Sequence, residues 1–368
     1  MSVWIVVGGQ YGSEGKGKIS ALITLQEGID ICIRCGGPNS GHSFQLPNGD
    51  MVLLRQLPTG FVRPETRLLI PAGALVDPDV LRTEIDSLSI DERRVGVDRN
   101  TMIITAADRE HEQQIGLAER LSSTLCGVGS AVARRALRSD DVRLAESYVA
   151  QHAWLRPFIT DVSAEANAAS DAGKKVLIEG TQGSGLSVYH SRFYPKATSR
   201  ETNAAGFLSE VGMSPRLVRE IVLVFRTFPI RVAGSQAGPL NDEISWTELT
   251  KQSGSPISLA EFTSVTHRLR RVGKFEWDEA YRAAKLNRPT RVAINFLDYL
   301  NFRNRHVTER KALGPETLEF IARLRTVCRA PISYLGTGPM LSDTIMYDDV
   351  SERKLCSDAE PMKSFMAQ

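Results

Sequence analysis

Residues Gly8 to Lys18 read Gly-Gly-Gln-Tyr-Gly-Ser-Glu-Gly-Lys-Gly-Lys and directly follow the apolar run Val3–Val7. Glycines let backbone N–H groups approach an anion, a helix N-terminus adds partial positive charge, and Lys16 and Lys18 add full charge. The chemistry these residues suit is phosphate binding. The segment is not a Walker A loop: Gln10 stands where the first glycine belongs, and Gly17 replaces the Ser or Thr. Nor does the spacing of Gly12, Gly15 and Gly17 fit the dinucleotide fingerprint. A plain strand-to-helix turn with solvated lysines is the competing reading, and two lysines among so many glycines weigh against it. A second polar, glycine-rich segment, Cys35-Gly36-Gly37-Pro38-Asn39-Ser40-Gly41-His42-Ser43, follows the next apolar run. Loops after neighbouring parallel strands meet at one sheet edge, which would bring His42 to face Ser13 and Lys16 as a general-acid candidate.

Positioning two such loops calls for a parallel sheet. Short β-rich runs alternate with helix-like stretches, so the sequence predicts an α/β fold with a mostly parallel central sheet flanked by helices. Strands are expected at Val3–Val7, Asp30–Arg34, Arg67–Ile70, Met102–Thr105, Val176–Glu179, Ile221–Phe225, Val292–Asn295 and Ile332–Leu335, with a hairpin turn at Pro47–Asp50. Helices are expected at Lys16–Gln26, Pro78–Leu88, Asp108–Arg120, Val142–Trp154, Asp161–Ala172, Trp277–Leu286 and Pro315–Arg325. No linker, repeat or low-complexity tract divides the chain. It reads as a single domain with long functional loops over residues 1–350, followed by a polar tail at 351–368.

Composition narrows the partners. With 45 basic and 43 acidic residues among 368, the net charge of +2 gives no field that calls for nucleic acid or a membrane surface. Five cysteines form no disulfide framework, and neither a signal pattern nor a long apolar span is present, which favours the cytoplasm. Cys32 and Cys35 have the spacing of a zinc or redox pair, but no second pair follows and their segment looks like a strand. They read as buried, inert thiols.

The two loops resemble those of the adenylosuccinate synthetase family. The likeness continues in order through Gly127-Val128-Gly129 with Ala133-Arg134-Arg135, Glu179-Gly180-Thr181-Gln182-Gly183, Tyr194-Pro195 with Thr198-Ser199, Arg268 and Arg270, Leu297-Asp298, and Gly336-Thr337-Gly338-Pro339. The resemblance implies a P-loop-related fold and a two-step ligation. A γ-phosphoryl group passes from a nucleoside triphosphate to O6 of a purine monophosphate, and the amino group of L-aspartate then displaces it. Ser13, Lys16, His42 and Gln182 fall at catalytic positions. Gly12, Glu14, Gly15, Lys16, Gly17, Lys18, Asn295, Asp298, Gly336 and Gly338 fall where the triphosphate binds. Ser13, Asn39, Thr124, Arg134, Gln182, Thr198 and Val232 fall around the purine monophosphate, with Arg134 reaching across a homodimer. Val265, Thr266, Arg268 and Arg270 fall on the aspartate loop, and Ser13 with the Gly41 carbonyl on Mg²⁺.

The chain departs from that pattern at four places. Cys126 replaces an arginine, Val265 a threonine, and Phe296 the lysine before Leu-Asp in the guanine-reading strand, which points to ATP or dATP rather than GTP as donor. Most consequential is Ser13, which replaces the aspartate that removes the purine N1 proton. A neutral, smaller residue beside N1 leaves room for a group on C2, and the pattern is similar to a phage-type 2-aminoadenylosuccinate synthetase branch that joins L-aspartate to dGMP on the route to diaminopurine in DNA. Two alternatives stay open: an ordinary family member acting on IMP with GTP, and a nucleotide-binding regulator without turnover.

Overall fold

The first strand explains the layering. In β1 (Val3–Gly8) Val3, Ile5 and Val7 face one apolar layer, while Trp4 and Val6 face the other. A strand covered on both faces needs the unbroken apolar run seen in the sequence rather than alternation. The computed structural model describes residues 1–263 and 267–347, so the expected tail at 351–368 lies outside the described residues.

Around β1 the strands are β2 (Ile31–Arg34), the hairpin β3 (His42–Gln45) and β4 (Met51–Leu54), β5 (Arg67–Ile70), β6 (Val95–Asp98), β7 (Ile159–Thr160), β8 (Val176–Glu179), β9 (Val218–Arg226), β10 (Arg291–Asn295), β11 (Ile332–Gly336) and β12 (Thr344–Met346). Among the described residues the main sheet has ten strands in the order β12-β11-β10-β9-β1-β8-β2-β5-β6-β7. All neighbours are parallel except β12, which runs antiparallel to β11. The α/β architecture with a mostly parallel sheet is therefore as expected.

The first helix, Lys16–Glu27, begins directly after Gly15, which takes φ 86°. Three expectations need correction. Asp108–Arg120 is not one helix: it is broken into Ala106–Gln114 and Leu117–Leu121 by Gly116 at φ 65°. Val142–Trp154 contains only the short helix Ala145–Tyr148 before a 3-10 segment at Ala153–Phe158. There the chain runs beside residues 101–103, with Ile103 N–H on the Arg143 carbonyl and Ala145 N–H on the Thr101 carbonyl, so its backbone is satisfied without a helix. Met102–Thr105 shortens to Met102–Ile103, which pairs with Leu75–Val76 outside the main sheet. Among the described residues no helix is long and apolar enough to cross a membrane.

Candidate active site

Four parallel strands end in a polar residue at the same edge: Arg34 on β2, Glu179 on β8, Arg226 on β9 and Asn295 on β10. All four are buried. The carboxyl ends of strands are where open α/β sheets bind ligands, and a cavity of about 560 Å³ opens above this row. Ser13, Lys16, His42 and Gln182 line it together, with Gly12, Gly15, Gly17, Asn39, Gly41, Thr124, Thr198, Val232 and Arg270.

The glycine-rich loop holds its shape through left-handed backbone at Gly12, Ser13 and Gly15. Glu14, expected at the triphosphate, is fully buried and does not line the cavity. Its carboxylate accepts from the N–H groups of Gln10 (3.1 Å) and Gly12 (2.8 Å) and from Lys16 Nζ (2.7 Å). An acid placed so braces the loop and balances Lys16, whereas one facing phosphates would repel them.

His42 is fixed from behind. Its Nδ1 meets Glu179 Oε1, and Arg34 Nη1 donates to the same oxygen at 2.8 Å. The other Glu179 oxygen accepts from Thr59 N–H (2.9 Å) and Thr59 Oγ1 (2.7 Å). Burial alone would raise the Glu179 carboxyl, but His42, Arg34 and Thr59 outweigh it and hold the group down to about 2. An ionised carboxylate only accepts, so Nδ1 carries hydrogen and Nε2 is the atom left buried without a protein partner. Burial, and after it Arg34, pushes the imidazole down to about 4. Gln182 Nε2 donates to Thr198 Oγ1 at 3.0 Å, joining two residues expected around the purine.

The opposite wall carries arginines. Ser13 Oγ accepts from Arg270 Nη1 at 2.7 Å, and the Ser13 carbonyl accepts from Arg226 Nη1 at 3.0 Å. Arg226 is fully buried, pairs with Glu261 and lies 4.0 Å from the centre of the Phe296 ring. Phe296 itself lines the cavity. Ser13 does not fit a metal ion in this arrangement, because its oxygen already faces a guanidinium. Among the described residues no three His, Cys, Asp or Glu side chains converge on a metal site, and the Gly41 carbonyl alone does not make one.

Other expected residues stand apart from the cavity. Lys18, Asn295, Asp298, Gly336 and Gly338 form their own cluster: Lys18 Nζ donates to the Gly338 carbonyl at 2.9 Å, and Asn295 Nδ2 to the Glu14 carbonyl at 2.8 Å. A Cβ at Gly336 would strike Asn295 Oδ1 at 2.1 Å, so a larger residue there would push the Asn295 amide aside. Burial pushes Asp298 up to about 6 despite Arg305 at 3.3 Å. Arg134, on the helix Val128–Leu137, is held by Asp108 and Asp141 and does not reach the cavity of its own chain. Arg268 is exposed and outside the cavity wall. Val265 and Thr266 lie outside the described residues. At Cys126, where the resemblance expects arginine, Arg55 Nη2 comes within 3.5 Å of the thiol.

The sequence reading did not single out Arg34, Arg226 or Glu261. A signal existed for the first two: each is a cation directly closing an apolar run. Glu261 carries no comparable signal.

Comparison with known proteins places the chain in a family. The family profile described as adenylosuccinate synthetase matches residues 5–148 and 139–305. The adenylosuccinate synthetase of Thermococcus sibiricus is 38% identical over 349 residues, spanning 94% of this chain and 98% of the relative. That of Methanocaldococcus jannaschii is 39% identical over 349 residues, spanning 93% and 95%. Among solved structures, the cyanophage S-2L succinoaminodeoxyadenylate synthetase bound to dGMP and dATP as an energy donor superposes with a TM-score of 0.78 at 26% identity, covering 96% of this chain and 98% of that one. A fully ligated Plasmodium falciparum adenylosuccinate synthetase gives 0.83 at 19% identity, covering 95% and 100%, a likeness of fold.

Proposed function

The chain belongs to the adenylosuccinate synthetase family, and within it we propose a ligase that joins L-aspartate to C6 of dGMP, giving N6-succino-2-amino-2′-deoxyadenylate. Family membership makes it a carbon–nitrogen ligase that uses a nucleoside triphosphate and aspartate. The observation that carries the dGMP reading is Ser13: the carboxylate that ordinary members place beside purine N1 is absent, while Lys16, His42 and Gln182 stand around the same cavity. A hydroxyl there is smaller and uncharged, which suits a base bearing a 2-amino group.

In this reading O6 of the purine attacks the γ-phosphorus of the triphosphate, the N1 proton passes to solvent and the nucleoside diphosphate leaves. The aspartate amine then attacks C6, inorganic phosphate departs from that carbon and takes up the proton that the amine loses. Lys16 neutralises charge on the transferring group, and His42 Nε2, which holds a lone pair while Nδ1 carries the hydrogen, donates to that group once the approaching anion draws a proton onto the imidazole. Gln182 and Thr198 hold the purine edge, with Asn39, Thr124 and Val232 around the nucleotide. Arg270 and Arg268 receive the carboxylates of aspartate, the second after movement of its loop. Arg134 serves the partner's cavity in a homodimer. The family uses Mg²⁺; with Ser13 turned to Arg270, no step above is assigned to the ion.

Phe296 supports ATP or dATP as donor, since an aromatic ring packed on Arg226 offers no cation to the O6 of guanine. The S-2L enzyme, with dGMP and dATP bound, supports the same choice. The curated relatives favour a second reading, IMP with GTP. Incubation with Mg²⁺, L-aspartate, dGMP or IMP, and ATP or GTP, followed by chromatography of the nucleotides, decides between them. Succinylated product from dGMP is expected; product from IMP alone overturns the proposal.

A further inference from the structure

Ser13 closes a ring of contacts that carries its own meaning. Its hydroxyl oxygen accepts from Arg270 Nη1 at 2.7 Å and its carbonyl from Arg226 Nη1 at 3.0 Å. Arg226 pairs with Glu261, whose main-chain carbonyl accepts from the Arg270 N–H at 2.8 Å. Arg270 Nε donates to the Phe262 carbonyl at 3.0 Å. The guanidinium is thereby fixed at two of its nitrogens, and Nη2 has no partner among the described residues.

The two arginines differ in charge balance. Arg226 has the Glu261 carboxylate, whereas among the described residues Arg270 has no carboxylate within ion-pair distance. Its anchors are a hydroxyl and a carbonyl, which fix position without cancelling charge.

We propose that Ser13 is a positioning residue for Arg270, holding a guanidinium with no carboxylate in ion-pair contact at the cavity wall where a carboxylate of L-aspartate is to land. This rests on the reading that the cavity takes aspartate, but not on which purine it takes. The loss of a carboxylate at position 13 then acts twice: it removes a base beside the purine, and it keeps the aspartate-gripping arginine free of a counter-ion in direct contact. A side chain fixed in advance loses less rotamer freedom on binding.

Steady-state kinetics in a double-mutant cycle test this. Ser13→Ala is expected to raise the aspartate KM about tenfold, with the loss in KM rather than in kcat at saturating aspartate. In an Arg270→Ala background the same change should alter aspartate KM by less than about twofold. Ser13→Asn keeps an acceptor oxygen and tolerates the φ of 59°, so it should recover most of the affinity and also report on a misfolded Ala variant. A fall in kcat with aspartate KM unchanged, or equal effects of Ser13→Ala in both backgrounds, overturns the proposal. Calorimetric titration with L-aspartate separates the two readings. Wild-type protein that binds aspartate yet forms nothing from dGMP sinks the dGMP reading alone, and the cycle is then read from binding constants. Wild-type protein that binds no aspartate overturns the positioning role.

Discussion

The two walls of the cavity are built on opposite principles. On the Lys16 and His42 side every charge is buried and answered by another, Lys16 by Glu14 and Arg34 by Glu179, and the same Glu179 orients the imidazole of His42. On the arginine side Arg270 hangs from a loop, Arg268 is exposed, and its charge partner must come from elsewhere. Phosphoryl transfer needs donors already aimed at developing charge, and a network tied into strand ends supplies that. An amino acid that arrives after the phosphoryl step needs an entrance. The difference teaches that this scaffold answers the cations of the first half of the reaction from within, and holds Arg270 in place for the second half without an ion-pair carboxylate of its own.

The largest effect that could break this contrast is expected from Lys16→Ala, with turnover falling at least ~100-fold. Its melting temperature should fall too, because Glu14 is left buried without a cation; a stable but inactive variant would show that the pair is not structural. Next comes Arg270→Ala, for which initial-rate measurements should give an aspartate KM raised by about 30- to 100-fold, as expected for losing a charge-assisted contact. Its melting temperature should stay near that of the wild type, and a collapse there would erase the distinction between the walls. Glu179→Gln should lower kcat about tenfold, by analogy with losing the group that orients a histidine, and should leave aspartate KM alone. Equal changes in both constants would argue that the two walls are coupled.

The smallest effect is one of slope. Burial pushes Lys18 down to about 8 from its usual 10.5. Between those values the unfolded chain holds a proton that the folded protein has released, so this residue makes stability rise with pH across that window. Thermal melts of Lys18→Met against wild type from pH 7.5 to pH 10.5 should show the rise reduced in the variant. Identical slopes would mean that the cation is better solvated than its position implies.

Much of this was legible before the fold was known, for identifiable reasons. The Arg67–Ile70 and Val176–Glu179 strands match their expected ranges because glycine or turn residues punctuate short apolar runs. Strand β6 was missed because Gly96 interrupts its apolar pattern, and a glycine inside a strand weakens the signal. Helix Val128–Leu137 was also missed, although Gly127 at φ 80° marks its start. At the site, the residues on the two glycine-rich loops were readable because spacing along the chain fixes their neighbours. Glu261 was not, since its meeting with Arg226 depends on a contact across 35 positions of sequence. The inward turn of the Glu14 carboxylate was hidden for the same reason: a loop sequence does not tell which way a side chain points.

The row of strand ends also acts as a ruler. Asn295 on β10 and Arg226 on β9 are paired residues, as are Glu179 on β8 and Arg34 on β2, each pair one strand spacing of ~4.8 Å apart, whereas Gly8 at the end of β1 stands two residues beyond the partner of Glu179 and two short of Arg226. Only the middle mark is blank, because β1 ends in Gly8, where a Cβ would collide with the Gln182 carbonyl at 2.4 Å and with Glu14 at 2.6 Å. The blank is the notch through which the chain leaves the sheet to form the glycine-rich loop. Because the intervals are set by hydrogen bonding between strands, they cannot be stretched by changing side chains. Redesign for a longer or shorter reactant therefore has to work in the loops above the ruler, leaving its divisions as they are.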